Sequence, residues 1–246
     1  MPMPWRSYQK PEMKGGLSVQ ITADGSHTLL QEGLQESYHS KHGAISESKW
    51  IYLQEGFDRL SKHHDVPLRI LEIGFGTGLN AMLTLMSATD GNFQVTYESV
   101  EAYPVPLEIA AQLNYPTLLS WQCAETYWQQ LHAAGWDRPV VISEKFVLFK
   151  RQVLLEEIQW PDETFDLVYY DAFSPARQPE MWSAEHLYKV LKAMKVGAVL
   201  VTYCAQGQLK RNLRAMGATV EVLPGPPGKK EMIRVTRPGE LCRLVY

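Results

Sequence analysis

The chain has 246 residues, 45% hydrophobic and 21% charged, with a net charge of −3. That suits one large α/β domain, or one domain with an extension. No apolar run approaches the ~20 residues of a membrane span, and Met1–Lys14 lacks the apolar core of an export signal, so a cytoplasmic protein with no membrane partner is expected.

Residues 1–18 are polar and broken by Pro2, Pro4, Pro11 and Gly15-Gly16, which reads as a loose arm. Val19–Ile21 and Thr28–Leu30 flank Asp24-Gly25, a turn signal, so a small hairpin is expected. Ser46–Lys49 can cap a helix whose one face is Trp50, Leu53, Phe57 and Leu60. Residues 1–62 are thus read as arm, hairpin and lid helix, and 63–246 as the main domain.

Leu68, Ile70, Leu71 and Ile73 form an apolar run of strand length. Gly74, Gly76 and Gly78 then alternate, and Leu79, Met82, Leu83 and Met86 recur at helical spacing. Strand, glycine loop and helix start a nucleotide-binding βαβ unit. Gly76, Gly78 and Ala81 fit a dinucleotide loop, but weakly. The pattern Glu72-x-Gly74-x-Gly76-x-Gly78 resembles the first motif of the class I S-adenosylmethionine (SAM) methyltransferases. An acid suits that ligand, which carries a sulfonium and an ammonium; beside a pyrophosphate it would be repelled. A glycine turn with no ligand is the plainer alternative.

Phe93–Val100 alternates as the next strand and ends at Glu101, placed to accept ribose hydroxyls, with Glu98 as competitor. Helices are expected over Leu107–Leu113 and Leu118–Ala134. Val140–Ile142 and Lys145–Phe149 read as two short strands or one bent strand, and Val153–Ile158 as a weak helix. Phe165–Tyr170 is a buried central strand delivering Asp171 at its C-terminal end. A helix over Leu187–Met194 is stopped by Gly197, and Val199–Tyr203 follows as a strand. Leu209–Met216 is a helix with Lys210, Arg211 and Arg214 on its polar side. Thr219–Leu223 and Met232–Val235 close the chain as strands. Cys123, Cys204 and Cys242 form no C-x-x-C pair and no zinc pattern, so no metal is expected.

The charge is uneven. Residues 1–144 hold 9 Lys+Arg against 16 Asp+Glu, and residues 145–246 hold 15 against 11. That lets a polyanion approach one side only; scattered solvated charge explains it equally. Asp171 sits beside Phe173 and Pro175, an acceptor next to an apolar wall. Methyl transfer to an amine needs the nucleophile aligned and unprotonated, which a carboxylate can arrange. Capping a helix or touching the cofactor are its other readings.

Asp171-Ala-Phe-Ser-Pro-Ala-Arg-Gln-Pro-Glu-Met-Trp182 resembles the signature of the MnmC methyltransferase-domain family. So do Gly225-x-x-Gly-Lys-Lys-Glu-Met232, Tyr38-His-Ser-x-x-Gly-x-x-x-Glu-Ser48 and the glycine loop through Asn80. The resemblance covers roughly residues 19–237. It implies a Rossmann-like α/β fold with a mostly parallel sheet and an antiparallel strand near the C-terminus. It implies SAM as cofactor and N-methylation of a 5-aminomethyl group on the wobble uridine, often 2-thiolated, in the anticodon region of tRNA. By motif position Glu72, Gly74, Gly76, Gly78, Asn80, Glu101 and Asp171 would meet SAM, and Asp171 would also face the amine. Tyr38, Phe173 and Pro175 would wall the base, and Lys229 and Lys230 would meet phosphate. The family's acid after the third strand is missing here; Gln152 is the substitute for contacting adenine. Bifunctional members carry a flavin-dependent oxidase domain afterwards; a chain stopping near Tyr246 is expected to lack it, and a monomer is expected. The alternatives are another amine acceptor, a non-catalytic nucleotide-binding module and, least favoured, a nicotinamide dehydrogenase.

Overall fold

The computed structural model describes residues 15–61 and 67–244; residues 1–14 of the expected arm lie outside them. The hairpin forms where Asp24-Gly25 places it. Strands β1 (Leu17–Ile21) and β2 (His27–Gln31) pair antiparallel, and a short β3 (Glu36–Ser37) adds to β2.

The following helix runs from Ala44–Ser48 through a wide-turned stretch, Lys49–Phe57, to Asp58–Ser61. Ser46 does not cap it, which corrects the sequence expectation. The carboxylate of Asp24, from the hairpin turn, accepts the Ser46 N–H at 3.0 Å and the Ser46 hydroxyl at 2.8 Å. The wide stretch also changes the buried face. With backbone bonds spanning five residues instead of four, as from the Asp58 N–H to the Leu53 carbonyl, Ile51 and Tyr52 are buried along with Leu53 and Phe57, while Trp50 and Leu60 are only half-buried. Gly56 lets this helix approach the sheet, since a Cβ there would lie 3.2 Å from Val201 and 3.3 Å from Tyr169.

The main sheet has eight strands: β4 (Leu68–Ile73), β5 (Val95–Val100), β6 (Arg138–Ser143), β7 (Phe146–Arg151), β8 (Phe165–Tyr170), β9 (Met194–Thr202), β10 (Thr219–Pro224) and β11 (Glu231–Thr236). Their order is β10-β11-β9-β8-β4-β5-β7-β6. The five strands from β9 to β7 are parallel; β6, β10 and β11 join by antiparallel pairing. The pair β6–β7 settles the choice between two strands and one bent strand in favour of two.

Strand alternation supplies two cores. Leu68, Ile70, Leu167 and Tyr169 pack under the helices 44–61, Leu79–Asp90 and Ala124–Ala133. Leu71, Ile73, Val168 and Tyr170 pack on the other face under Ala184–Ala193 and Gly207–Ala215. Strand β8 is buried along its whole length, as a central parallel strand sandwiched between helices must be.

Three further expectations are corrected. The helix drawn over Leu118–Ala134 is two helices, Tyr115–Leu119 and Ala124–Ala133, interrupted where Ser120 and Cys123 take left-handed backbone (φ 49° and 64°). Val153–Ile158 is a turn, closed by Glu157 and Ile158 N–H groups on the Leu154 carbonyl, and not a helix. Gly197 does not stop the helix; Ala193 ends it, and Gly197 lies inside β9 with φ 79°, where the pairing to β8 shifts register.

A candidate SAM and substrate cleft

The C-terminal ends of β4, β5 and β8 meet at the point where strand order reverses, the usual ligand position in an open α/β sheet. They are tied there by Gly74 N–H to the Val100 carbonyl (2.9 Å) and Asp171 N–H to the Ile73 carbonyl (3.0 Å). A cleft of about 410 Å³ opens above them.

One half of the cleft is the glycine loop. Gly74 has φ 94°, and a Cβ there would lie 2.7 Å from the Asp171 carbonyl oxygen. Gly76 has φ 50°, and a Cβ would lie 3.0 Å from the Tyr38 ring. A side chain is excluded at Gly74 and strained by the positive φ at Gly76, so the loop carries no Cβ at either place. Glu101 sits at the end of β5 and accepts N–H groups from Gly76 (3.0 Å) and Tyr103 (2.9 Å). Burial raises its carboxyl above the usual range against those bonds. Glu98, the competitor, lies outside the cleft lining, bonded by Trp160 Nε1 at 2.8 Å and paired with Arg151 at 3.5 Å.

The other half is built around Asp171. Tyr52 Oη donates to one carboxylate oxygen at 2.5 Å and Asn80 Nδ2 to the other at 2.9 Å. Burial pushes the Asp171 carboxyl up to about 6, although both donors favour its charged form. The loop after it is pinned: Tyr203 Oη donates to the Ala172 carbonyl at 2.8 Å and Trp182 Nε1 to the Phe173 carbonyl at 2.8 Å. From the N-terminal side, Glu36 accepts the Ser174 N–H and hydroxyl (2.9 Å to the latter), and the Tyr38 ring meets Phe173 edge-on at 4.9 Å. Residues 36–41 thus bridge the two halves.

Of the residues named from sequence, Tyr38, Gly74, Gly76, Asn80, Glu101, Asp171, Phe173 and Lys229 line the cleft. Among the described residues the lining does not include Glu72, Gly78, Gln152, Pro175 or Lys230. Glu72 is 0% exposed beneath the loop, taking the Ser99 hydroxyl at 2.7 Å, with its other oxygen unpartnered. Burial raises its carboxyl well above the usual range, so a charged Glu72 facing a cation is not what this geometry provides. Gly78 instead gives way to Phe75 and His132 behind the loop. Gln152 donates its N–H to Asp137 at 3.1 Å; Val153, Leu154, Leu155 and Glu156 line the cleft in its place. Lys230 is exposed, whereas Lys229 turns inward to Glu47 at 2.6 Å. On the polar helix face, Lys210 pairs with Glu231 at 3.3 Å, and Arg211 bonds Gln208 at 2.8 Å.

Sequence reasoning assigned no role to Tyr52, Glu47, Tyr203 or Glu36. Glu47 stood inside the quoted Tyr38-to-Ser48 motif, so a signal was present. Tyr52 had none, because nothing local in the sequence ties it to Asp171, 119 residues further on.

The fit to SAM rests on these observations. Two glycines bare the loop backbone, a strand-end carboxylate faces the cleft, and six lining acids (Glu36, Glu47, Glu101, Glu156, Asp171, Glu180) outnumber two lysines (Lys41, Lys229). Such a cleft favours a cationic ligand over a pyrophosphate. The strand order is that of the class I SAM-methyltransferase fold. Residues 142–238 match the family described as S-adenosyl-L-methionine-dependent methyltransferase.

Among solved structures, MNMC2 from Aquifex aeolicus superposes with a TM-score of 0.75 at 23% identity, covering 91% of this chain and 70% of that one. The tRNA 5-methylaminomethyl-2-thiouridine biosynthesis bifunctional protein MnmC of Magnetococcus marinus is 30% identical over 242 residues, 92% of this chain and 35% of that protein. Its namesake in Nitrosospira multiformis is 30% identical over 213 residues, 82% and 34% respectively. The chain is similar to these MnmC proteins over most of its own length, and spans about a third of the length of the curated relatives it matches. No helix among the described residues is long and apolar enough to cross a membrane.

Proposed function

We propose that the chain is a SAM-dependent N-methyltransferase that acts, as a monomer, on the 5-aminomethyl group of a (2-thio)uridine at the tRNA wobble position. The observation that carries this reading is Asp171: a carboxylate at the end of the central strand, oriented on both oxygens by Tyr52 and Asn80. The matched relatives are named for the biosynthesis of 5-methylaminomethyl-2-thiouridine in tRNA, which is the product such a transfer would give.

When bound, SAM supplies an electrophilic methyl group on a positively charged sulfur. Gly74 and Gly76 admit it closely, and Glu101 is placed to accept ribose hydroxyls. Asn80 and Asp171 border the cofactor half from the substrate side, with Glu72 and Gly78 supporting the loop from beneath. The remaining work is positioning and proton handling. Asp171, at about 6, is ionised at neutral pH; it accepts an N–H of the substrate amine, aligns the nitrogen and takes its proton. Tyr38 and Phe173 give the base an aromatic wall, with Pro175 beyond it. Lys230 and the Lys210–Arg214 helix face offer contacts to phosphate, which position RNA without reading its sequence. Within the segment read as arm, hairpin and lid, residues 36–41 and Glu47 border the cleft.

Two measurements test the reading. SAM, and not NAD, is expected to raise the melting temperature. Incubation with SAM and tRNA bearing aminomethyl-uridine is expected to add one methyl mass to that nucleoside on mass spectrometry. SAM binding without that gain would redirect the assignment to another amine; absence of SAM binding would remove it.

A further inference from the structure

Lys229 lies in a surface loop of glycine and proline, yet it points into the cleft. Its Nζ is 2.6 Å from Glu47 Oε1 and 3.8 Å from the centre of the Tyr203 ring, over the ring face. Glu47 is 6% exposed, and its other oxygen accepts the Ser40 N–H at 2.6 Å. The Tyr203 hydroxyl is committed to the Ala172 carbonyl, which fixes the direction its ring faces. Asp171 lines the same cleft.

A buried carboxylate, an aromatic face and a second carboxylate make a box for an alkylammonium ion. A lysine side chain is a tethered alkylammonium. The substrate proposed above ends in the same group, a primary amine on one methylene. We propose that Glu47, the Tyr203 ring and Asp171 form the subsite for the substrate's ammonium, and that Lys229 fills it as an internal stand-in until substrate displaces it. This rests on the amine reading of the cleft. The loop backbone need not move: Lys229 N–H stays on the Pro226 carbonyl at 2.9 Å while the flexible side chain swings out. Before substrate arrives, the stand-in spares Glu47 an unpaired buried charge. Its occupancy also lowers apparent substrate affinity by the fraction of time the box is filled.

Truncating Lys229 to alanine removes the equivalent of n-propylammonium, so that ion is the probe. Lys229→Ala is expected to melt lower than the parent, and millimolar n-propylammonium chloride to raise its melting temperature saturably. The parent, the Lys229→Ala/Glu47→Gln double variant, and n-propanol in place of the ion are expected to show no such rise. No rise in Lys229→Ala, or an equal rise in the parent, overturns the subsite. A second arm uses Lys229→Met, which keeps length and loses charge. Its KM for tRNA is expected to fall by about tenfold if Lys229 fills the box about nine-tenths of the time. A rise in KM, the result for a phosphate-binding lysine, overturns the stand-in role. Saturable propylammonium binding with no methylated tRNA would keep the subsite and remove the tRNA reading.

Discussion

Asp171 carries opposing demands. It must be charged to accept a proton, yet burial raises it to about 6. Two predictions follow from the sign of that shift. Transfer should rise about tenfold per pH unit below 6 and level off above it, as for a base that must be ionised. Folding should run the other way. An acid raised on folding opposes the folded state once ionised: the cost is absent below its unfolded value near 3.8 and complete above about 6. Asp171→Asn should therefore lose transfer by roughly 10²–10⁴-fold while keeping the SAM-induced melting shift. It should also be more stable than the parent at pH 7, by about 1–2 kcal/mol after the loss of one hydrogen bond, and not at pH 3.5. Urea titrations at the two pH values check it; equal differences at both would mean that Asp171 is not held up by burial. A parallel loss of SAM binding would make Asp171 a cofactor residue instead.

At the scale of elements, one carboxylate joins the hairpin to the helix behind the cleft. Asp24 is partly buried, which raises its carboxyl, but the hydrogen bonds from Ser26 and Ser46 outweigh this and hold it well below the usual range. A depressed acid stabilises the fold above its unfolded value and ceases to as pH falls through the folded one. Asp24→Ala should cost about 1–2 kcal/mol at pH 7, the worth of a helix N-cap, and progressively less below pH 4; urea denaturation across that range reads it directly. The sequence named Asp24-Gly25 as a turn but gave the cap to Ser46, because a cap supplied from 22 residues upstream leaves no local pattern. The same distinction runs through the chain. The strand before Gly74, the hairpin and the strand delivering Asp171 were legible, since apolar run length and glycine spacing are local facts. Tyr52 was not, because its partner Asp171 lies 119 residues further along the chain and leaves no local pattern. Nor was the inward turn of Lys229: Gly225-x-x-Gly-Lys-Lys reads as an exposed basic loop until Glu47 and Tyr203 are seen beside it. Glu72 shows the limit from the other side. Its place in the motif was plain, but depth beneath the loop is a tertiary property, and depth decides whether its carboxyl is charged.

Across the whole molecule, the elements bearing the cleft are fastened end to end by Arg234. This side chain is 4% exposed. Its Nη1 meets Glu55 at 2.6 Å on the helix that carries Glu47 and Tyr52. Its Nε and Nη2 meet both oxygens of Glu221 at 2.9 and 3.0 Å on β10. The fork therefore spans from the N-terminal helix to the C-terminal strand pair, a geometry lysine cannot copy. Removing one partner of a buried pair can cost 3–5 kcal/mol, but Glu221 is 43% and Glu55 20% exposed, so both carboxylates can recover much of their hydration. Arg234→Ala should then cost about 2–3 kcal/mol, a fall of roughly 5–10 °C in melting temperature for a chain of this size. Arg234→Met/Glu55→Gln fills the space and removes the stranded charge nearest the core, and should recover most of that loss. High salt should change the parent's melting temperature little, because a buried guanidinium is poorly screened. A fall below about 1 °C in Arg234→Ala would show that packing of Gly56 against β8 and β9, not this ion triad, holds the cleft-bearing helix in place.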